Sequence, residues 1–195
     1  AIIAVKEIGL GKKSVVAALL HDVAKPACFT VDDGGVGHFY GHDTLGAEVA
    51  AKITARLRFD KKTAAQVELL IGRHMRQIEP TEKAVGRVLR QIGEEALRQL
   101  LAVKRADAAA CHPDFAWQTG QLDEVEAVFA SVMAVEKELA AVTLRLQGHA
   151  AGDAALIERQ HQLQEEFDRM GGAYYKSRVR STLLGLGFPE TAFSQ

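Results

Sequence analysis

Cysteine is scarce: Cys28 and Cys111 are the only two in 195 residues. They give neither a disulfide framework nor a CxxC metal pair, so a cytosolic, cytoplasmic setting is the default expectation. Long apolar runs are lacking too. The longest candidate, Ser14 to Leu20, falls well short of the ~18 residues a membrane span needs and leads straight into His21 and Asp22. No basic region followed by a long apolar stretch opens the chain, so no signal peptide is expected. These absences point to a soluble chain with no membrane partner. Proline is rare (Pro26, Pro80, Pro113 and Pro189) while alanine and leucine abound, which favours helix nearly throughout. The first residue is Ala, inside what reads as a helix over residues 1–7, and the end carries no stop signal. The expectation is a piece of something larger.

The net charge of -1 hides an uneven spread. Residues 51–105 carry 13 Lys/Arg against 6 Asp/Glu, whereas residues 111–195 carry 7 against 12. A basic middle can face phosphates, although helices with solvated faces account for the same counts.

Ser14 is the expected N-cap of a helix running to about Lys25, ended by Pro26. Two β-prone runs then flank Asp32-Asp33-Gly34-Gly35, so residues 29–40 read as a small hairpin. Asp43 or Thr44 can cap the next helix, to about Leu57. Asp60 starts another, to about His74. Thr81 and Glu82 open a further helix ending near Gly93, and a helix from Glu94 to about Ala110 carries Asp107. After Pro113 the character changes: residues 122–147 read as one long helix, and 154–170 as a polar one ended by Gly171-Gly172. One more helix is expected over 174–186. A boundary falls within 111–125.

Adjacent His21 and Asp22, near the end of an apolar helix, can both reach one metal lying over the helix surface between them. Imidazole and carboxylate together suit a divalent ion: Mn, Ni, Mg, Co, Fe or Zn. Asp107 is flanked by alanines, so its helix can approach closely, which is how a bundle places a distant carboxylate beside such a pair. His42 and His74 lie between these ligands in sequence. They suit a second metal, a phosphate oxygen, or protonation of a leaving oxygen. Blander accounts exist for each. A lone His-Asp pair is most often a helix-end hydrogen bond, and Asp107 could pair with Arg105 at the surface. His38 fits a structural role in the hairpin. His112, His149 and His161 fit no ligand spacing.

The order and context of these residues carry a resemblance. Leu19-Leu20-His21-Asp22-Val23-Ala24-Lys25-Pro26 resembles the signature of the HD superfamily of metal-dependent phosphohydrolases. His38-Phe39-Tyr40-Gly41-His42, Arg56-Leu57-Arg58-Phe59, Arg73-His74-Met75, Pro80 to Val85 and Leu101 to Ala108 are similar to the HD domain of bacterial CCA-adding tRNA nucleotidyltransferases, a family that overlaps poly(A) polymerases. The resemblance, which covers about residues 1–110, implies an all-α, HD-type helical bundle, expected over residues 1–115 without its first helix and histidine. The hairpin read at about 29–40 is an insert in it. The residues of 116–195 read as a long helical hairpin, a C-terminal segment that can be of separate origin. The resemblance implies metal ligation by His21, Asp22 and Asp107. It places His42 and His74 at the phosphate as catalytic groups or at a second metal. Lys25, Arg56, Arg58, Arg73 and Arg76 become candidates for binding substrate or RNA. The implied activity is tRNA processing or hydrolysis of phosphomonoesters or 2′,3′-cyclic phosphates, with tRNA or a nucleotide phosphate as substrate. A non-catalytic tRNA-binding module is the alternative.

Two departures qualify this. HD domains begin with a further ligand histidine well before the His-Asp pair, and none precedes His21. The nucleotidyltransferase head is also missing, so this chain is not expected to add nucleotides by itself. Residues 130–195 differ again. Glu136 to Leu139, Leu163 to Phe167, Gly171 to Tyr174 and Leu183 to Phe188 resemble the helical region of ABC-F type ATPases. No GxxxxGK[ST] loop occurs, so this chain alone is not expected to bind ATP. The helices of 130–195 are expected to pack loosely, or not at all, on the first part, as in an incomplete or chimeric fragment with no autonomous activity.

Overall fold

A computed structural model describes residues 11–111, 117–147 and 153–171 of the chain. The helices expected over 1–7 and 174–186, His112, His149 and the ABC-F-like segments beyond Gly171 lie outside the described residues. Among the described residues the architecture is all-α apart from one two-stranded hairpin. Among the described residues, no helix is long and apolar enough to cross a membrane. The chain divides into two compact units, residues 1–77 with 94–123 and residues 78–93 with 124–195.

The first described helix of the first unit is α1 (Gly11–Leu20). Ser14 is not its N-cap, because the helix already begins at Gly11 and Ser14 is buried inside it. Nor does the helix run to Lys25. It stops at Leu20, and the chain turns through residues 21–24, with Val23 N–H donating to Leu20 O and Lys25 N–H to Asp22 O, each at 3.0 Å. Pro26 does not end a helix but opens the short α2 (Lys25–Cys28), where its missing N–H costs nothing. The hairpin follows as expected. Strand β1 (Thr30–Val31) pairs antiparallel with β2 (Gly37–His38), Thr30 opposite His38. Asp32 holds the turn, its Oδ1 accepting from the N–H groups of Gly34 and Val36 at 3.0 and 2.9 Å. The His38 Nε2 atom meets Asp32 Oδ2 at 2.8 Å, so His38 is structural.

Helix α3 (His42–Arg56) is capped by neither Asp43 nor Thr44. It begins already at His42, because Gly41, at φ 77°, takes the left-handed turn that redirects the chain out of β2. It ends with Arg58 N–H donating to Ala55 O and Phe59 N–H to Thr54 O, both at 3.0 Å. That is a Schellman cap in which Arg58 holds the left-handed position at φ 56°. Helix α4 (Lys61–Arg73) has the expected N-cap: Asp60 accepts from Thr63 N–H at 2.9 Å. Helices α1 and α3 pack on α4, and α2 on α3. Gly46 makes the α3–α4 approach close. A Cβ there would lie 3.3 Å from Ile71 Cγ2 and 3.5 Å from His21 O. Val67, Leu70 and Ile71 of α4 are buried in this core.

Thr81 opens α5 (Glu82–Ala108), its Oγ1 accepting from Ala84 N–H. The break expected near Gly93 is present as one non-helical residue, Gly93 at φ 80°, ψ 168°. The part of α5 beyond it belongs to the first unit, where Ala106 packs against Ala18 and Val15 of α1. The alanines around Asp107 thus give the close approach their size suggests.

In the second unit lie the first part of α5 and most of α6 (Trp117–Gln147), which starts five residues before the expected position, together with α7 (Ala154–Arg169). Asp153 caps α7 by accepting from Ala155 and Leu156 N–H. Leu163, Phe167 and Met170 are buried, as are Val125, Phe129 and Val132 of α6. Arg159 bonds Glu138 at 2.6 Å. Within this unit α7 meets the first part of α5. The end of α7 rests on Gly86, where a Cβ would meet Met170 O at 2.5 Å, and the Arg90 guanidinium donates to Gly171 O. Apolar residues spaced along a polar helix still make a buried stripe.

Candidate metal centre

His21, Asp22, His42, His74 and Asp107 come together within the first unit, from four different elements. His21 and Asp22 stand in the turn after α1 rather than on a continuing helix. His42 is the first residue of α3, His74 caps the C-terminus of α4, and Asp107 lies in the last turn of α5. Nε2 of His21 lies 3.1 Å from Asp107 Oδ1 and 3.3 Å from Asp22 Oδ2. Nε2 of His42 lies 3.2 Å from Nε2 of His74 and 3.6 Å from Asp22 Oδ1. Two triads result, His21–Asp22–Asp107 and Asp22–His42–His74, each with its ligand atoms within 4.8 Å of one another, and Asp22 belongs to both.

The other ring nitrogen of each histidine fixes its tautomer. Nδ1 of His21 donates to Ala18 O at 2.9 Å, Nδ1 of His42 to Phe39 O at 2.6 Å, and Nδ1 of His74 to Ile71 O at 2.7 Å. A carbonyl only accepts, so each Nδ1 carries hydrogen and each Nε2 turns its lone pair inward when the ring is neutral. The Nε2 lone pairs of His42 and His74 then face each other at 3.2 Å, which is repulsive unless a proton or a cation lies between them. All three imidazoles are buried. The donor set of inward imidazoles, two carboxylates and carbonyl-anchored outer nitrogens therefore fits a divalent transition metal.

The electrostatics agree with this crowding. The hydrogen bond to Asp107, then that to Asp22, raises the His21 pKa to about 10 against the opposing effect of burial. Burial would raise the Asp22 carboxyl, but the bonds from His21 and Lys25 prevail and hold it well below the usual range. His21 likewise lowers Asp107. Burial pushes His74 down.

The cationic candidates fall in different places. Lys25 is at the centre, its Nζ 2.7 Å from Asp22 Oδ2. Arg73 ends α4 beside His74, and Arg76 follows two residues later, exposed. Arg56 and Arg58 sit at the far end of α3, ~21 Å along the helix from His42, and do not join the cluster. Arg105 bonds Asp123 at 2.7 Å, while Asp107 bonds His21. Exposed His161 faces Glu165. Sequence reasoning missed Lys104, which donates to His74 O at 2.6 Å and whose pKa burial lowers. Its one signal was its position three residues before Asp107, on the same helix face.

The family model described as "HD domain" matches residues 4–110. The chain is 35% identical over 127 residues to the A-adding tRNA nucleotidyltransferase of Deinococcus radiodurans, covering 65% of this chain and 27% of that protein. It is 36% identical over 114 residues to the CC-adding tRNA nucleotidyltransferase of Thermus thermophilus, covering 56% and 26%. The chain thus spans about a quarter of the length of these curated relatives. No solved structure matches it.

Proposed function

This chain belongs to the HD domain family, and from that premise we propose that it is the HD region of a tRNA nucleotidyltransferase-type protein that hydrolyses phosphomonoesters or 2′,3′-cyclic phosphates. The observation that carries the reading is the convergence of three carbonyl-anchored imidazoles on Asp22 and Asp107. His21, Asp22 and Asp107 would hold a divalent metal, which supplies Lewis acidity toward a phosphoryl oxygen and water. His42 and His74 present Nε2 atoms beside that triad, placed to hold a phosphate oxygen or to give a proton to the leaving oxygen. Lys104 positions His74 through its backbone carbonyl. Lys25 neutralises Asp22 and stands ready for substrate charge once that carboxylate has another partner.

The test is hydrolysis of 2′,3′-cyclic AMP and p-nitrophenyl phosphate by the full chain with Mn²⁺, Ni²⁺ or EDTA, beside an Asp22→Ala variant. Turnover that needs metal and vanishes in the variant is expected. A folded protein with no turnover under any metal overturns the enzyme reading.

A second reading, a non-catalytic tRNA-binding module, is favoured by a different observation. The exposed corner between α3 and α4 carries Arg56, Arg58, Lys61 and Lys62. On that reading tRNA binding weakens steeply with salt and survives Asp22→Ala. Replacing the four cations lowers the salt slope.

A further inference from the structure

The hairpin beside the histidine cluster exposes aromatic surface that the phosphate chemistry leaves unused. Phe29 is 54% exposed, Phe39 37% and Tyr40 76%. These rings are held in place. Phe29 lies over Gly37, where a Cβ would come within 2.7 Å of its ring, so a larger residue has no room there. The Phe29 and Phe39 centroids are 5.4 Å apart with the rings tilted by 40°. Lys25 Nζ stands 5.6 Å from the Phe39 centroid, within cation–π range. Tyr40 stacks on His38 at 4.9 Å, and His38 is itself tied to Asp32. Rings fixed in this way lose little freedom on binding a flat ligand.

Their position relates them to the cluster. The Phe39 carbonyl accepts from His42 Nδ1. Lys25 bridges the Phe39 ring and Asp22 Oδ2, which puts the ring centroid within about 8 Å of that carboxylate. A nucleotide reaches about that far from its phosphate to its base. We propose that Phe39, with Phe29 beside it, is a stacking surface for the nucleobase of a nucleotide or RNA end whose phosphate lies at the histidine–aspartate cluster. The proposal rests on the phosphate-site reading and narrows it. A simple sugar phosphate gains nothing from these rings, whereas any of the bases offers a π-face to them. Lys25, between ring and carboxylate, faces the linking phosphate from the same side.

The test is calorimetric titration of the Mn²⁺-loaded full chain with hydrolysis-resistant methylene phosphonate analogues of adenosine monophosphate and of ribose phosphate. The adenosine analogue is expected to bind about tenfold more tightly, the scale of one stacked base. Phe39→Ala brings the ratio of the two affinities to about one, and Phe39→Trp keeps it at tenfold or above. Equal affinities in the unaltered chain overturn the stacking proposal alone. So does an unchanged ratio in Phe39→Ala. If neither analogue binds, the phosphate-site reading falls with it.

Discussion

The hydrogen bond between His21 and Asp107 makes the metal-free protein sensitive to alkali in a calculable way. In the folded chain the His21 pKa is raised from 6.5 to about 10 by Asp107 and Asp22. A raised pKa means that the folded state holds its proton more tightly than the unfolded one. The resulting stability is fully present below about pH 6.5 and is lost as pH climbs through about 10. At 1.36 kcal/mol per pKa unit the ceiling is ~5 kcal/mol. The Asp22 and Asp107 side chains are each 36% exposed, so water screens the pair and about half of that, ~2 kcal/mol, is the expected loss. Urea denaturation of EDTA-treated protein from pH 6 to pH 10 measures it. The comparison that isolates His21 is Asp107→Asn, which keeps the shape and removes the charge. Its stability should be lower at pH 6 and change much less toward pH 10. Parallel curves for the two proteins would refute the assignment, because then other groups set the pH dependence.

The same proton competes with metal. Manganese affinity should therefore rise up to about tenfold per pH unit through the range below 10 where His21 remains protonated, read by titration at fixed ionic strength. Asp60→Ala removes the side-chain acceptor at the start of α4 and should cost ~1 kcal/mol in urea denaturation. Arg58→Gly should raise stability by ~1 kcal/mol, because φ 56° at the Schellman position strains any residue with a Cβ. If the arginine contacts RNA, the same variant should bind tRNA less tightly, read by filter binding at low salt. Gly46→Val drives a branched side chain against Ile71 and the His21 carbonyl and should cost ~1–3 kcal/mol.

Much of the architecture could be read from residue spacing, because the signals were local. Asp60 three residues ahead of Thr63, the Asp-Asp-Gly-Gly turn and the Gly93 break each act within one turn of chain. The errors arose where two local signals competed. Ser14 has the side chain of a cap, but the helix had already begun at Gly11. Pro26 can end a helix or begin one. It begins one here because the chain has already left α1 at Leu20, and an N-terminal turn has no use for the missing N–H. Asp43 and Thr44 are good caps, yet the chain leaves the hairpin through the left-handed turn at Gly41, and the helix has already started when it reaches them. Lys104 could not be singled out, since its role depends on a carbonyl 30 residues away in sequence.

The histidines show why sequence order located the cluster although helix geometry was misjudged. His21, His42 and His74 each bond the carbonyl three residues earlier, Ala18, Phe39 and Ile71 respectively. That bond is open only at a helix end or in a turn. In a helix interior the carbonyl is already taken by the N–H four residues on. Placing His21 beyond Leu20, His42 just after Gly41 and His74 as the cap of α4 therefore does two things at once. It gives a second donor to a carbonyl that for His42 and His74 already accepts the same residue's backbone N–H, and it commits Nδ1 as a donor so that Nε2 is left for the centre. Reading His21 and Asp22 as successive residues on a helix puts them 100° apart and needs a metal over the helix surface. The turn removes that constraint and lets Asp22 face both His21 and His42. The fold thus uses helix ends and turns, where a carbonyl can take a side-chain donor, to orient the side chains of the proposed metal centre.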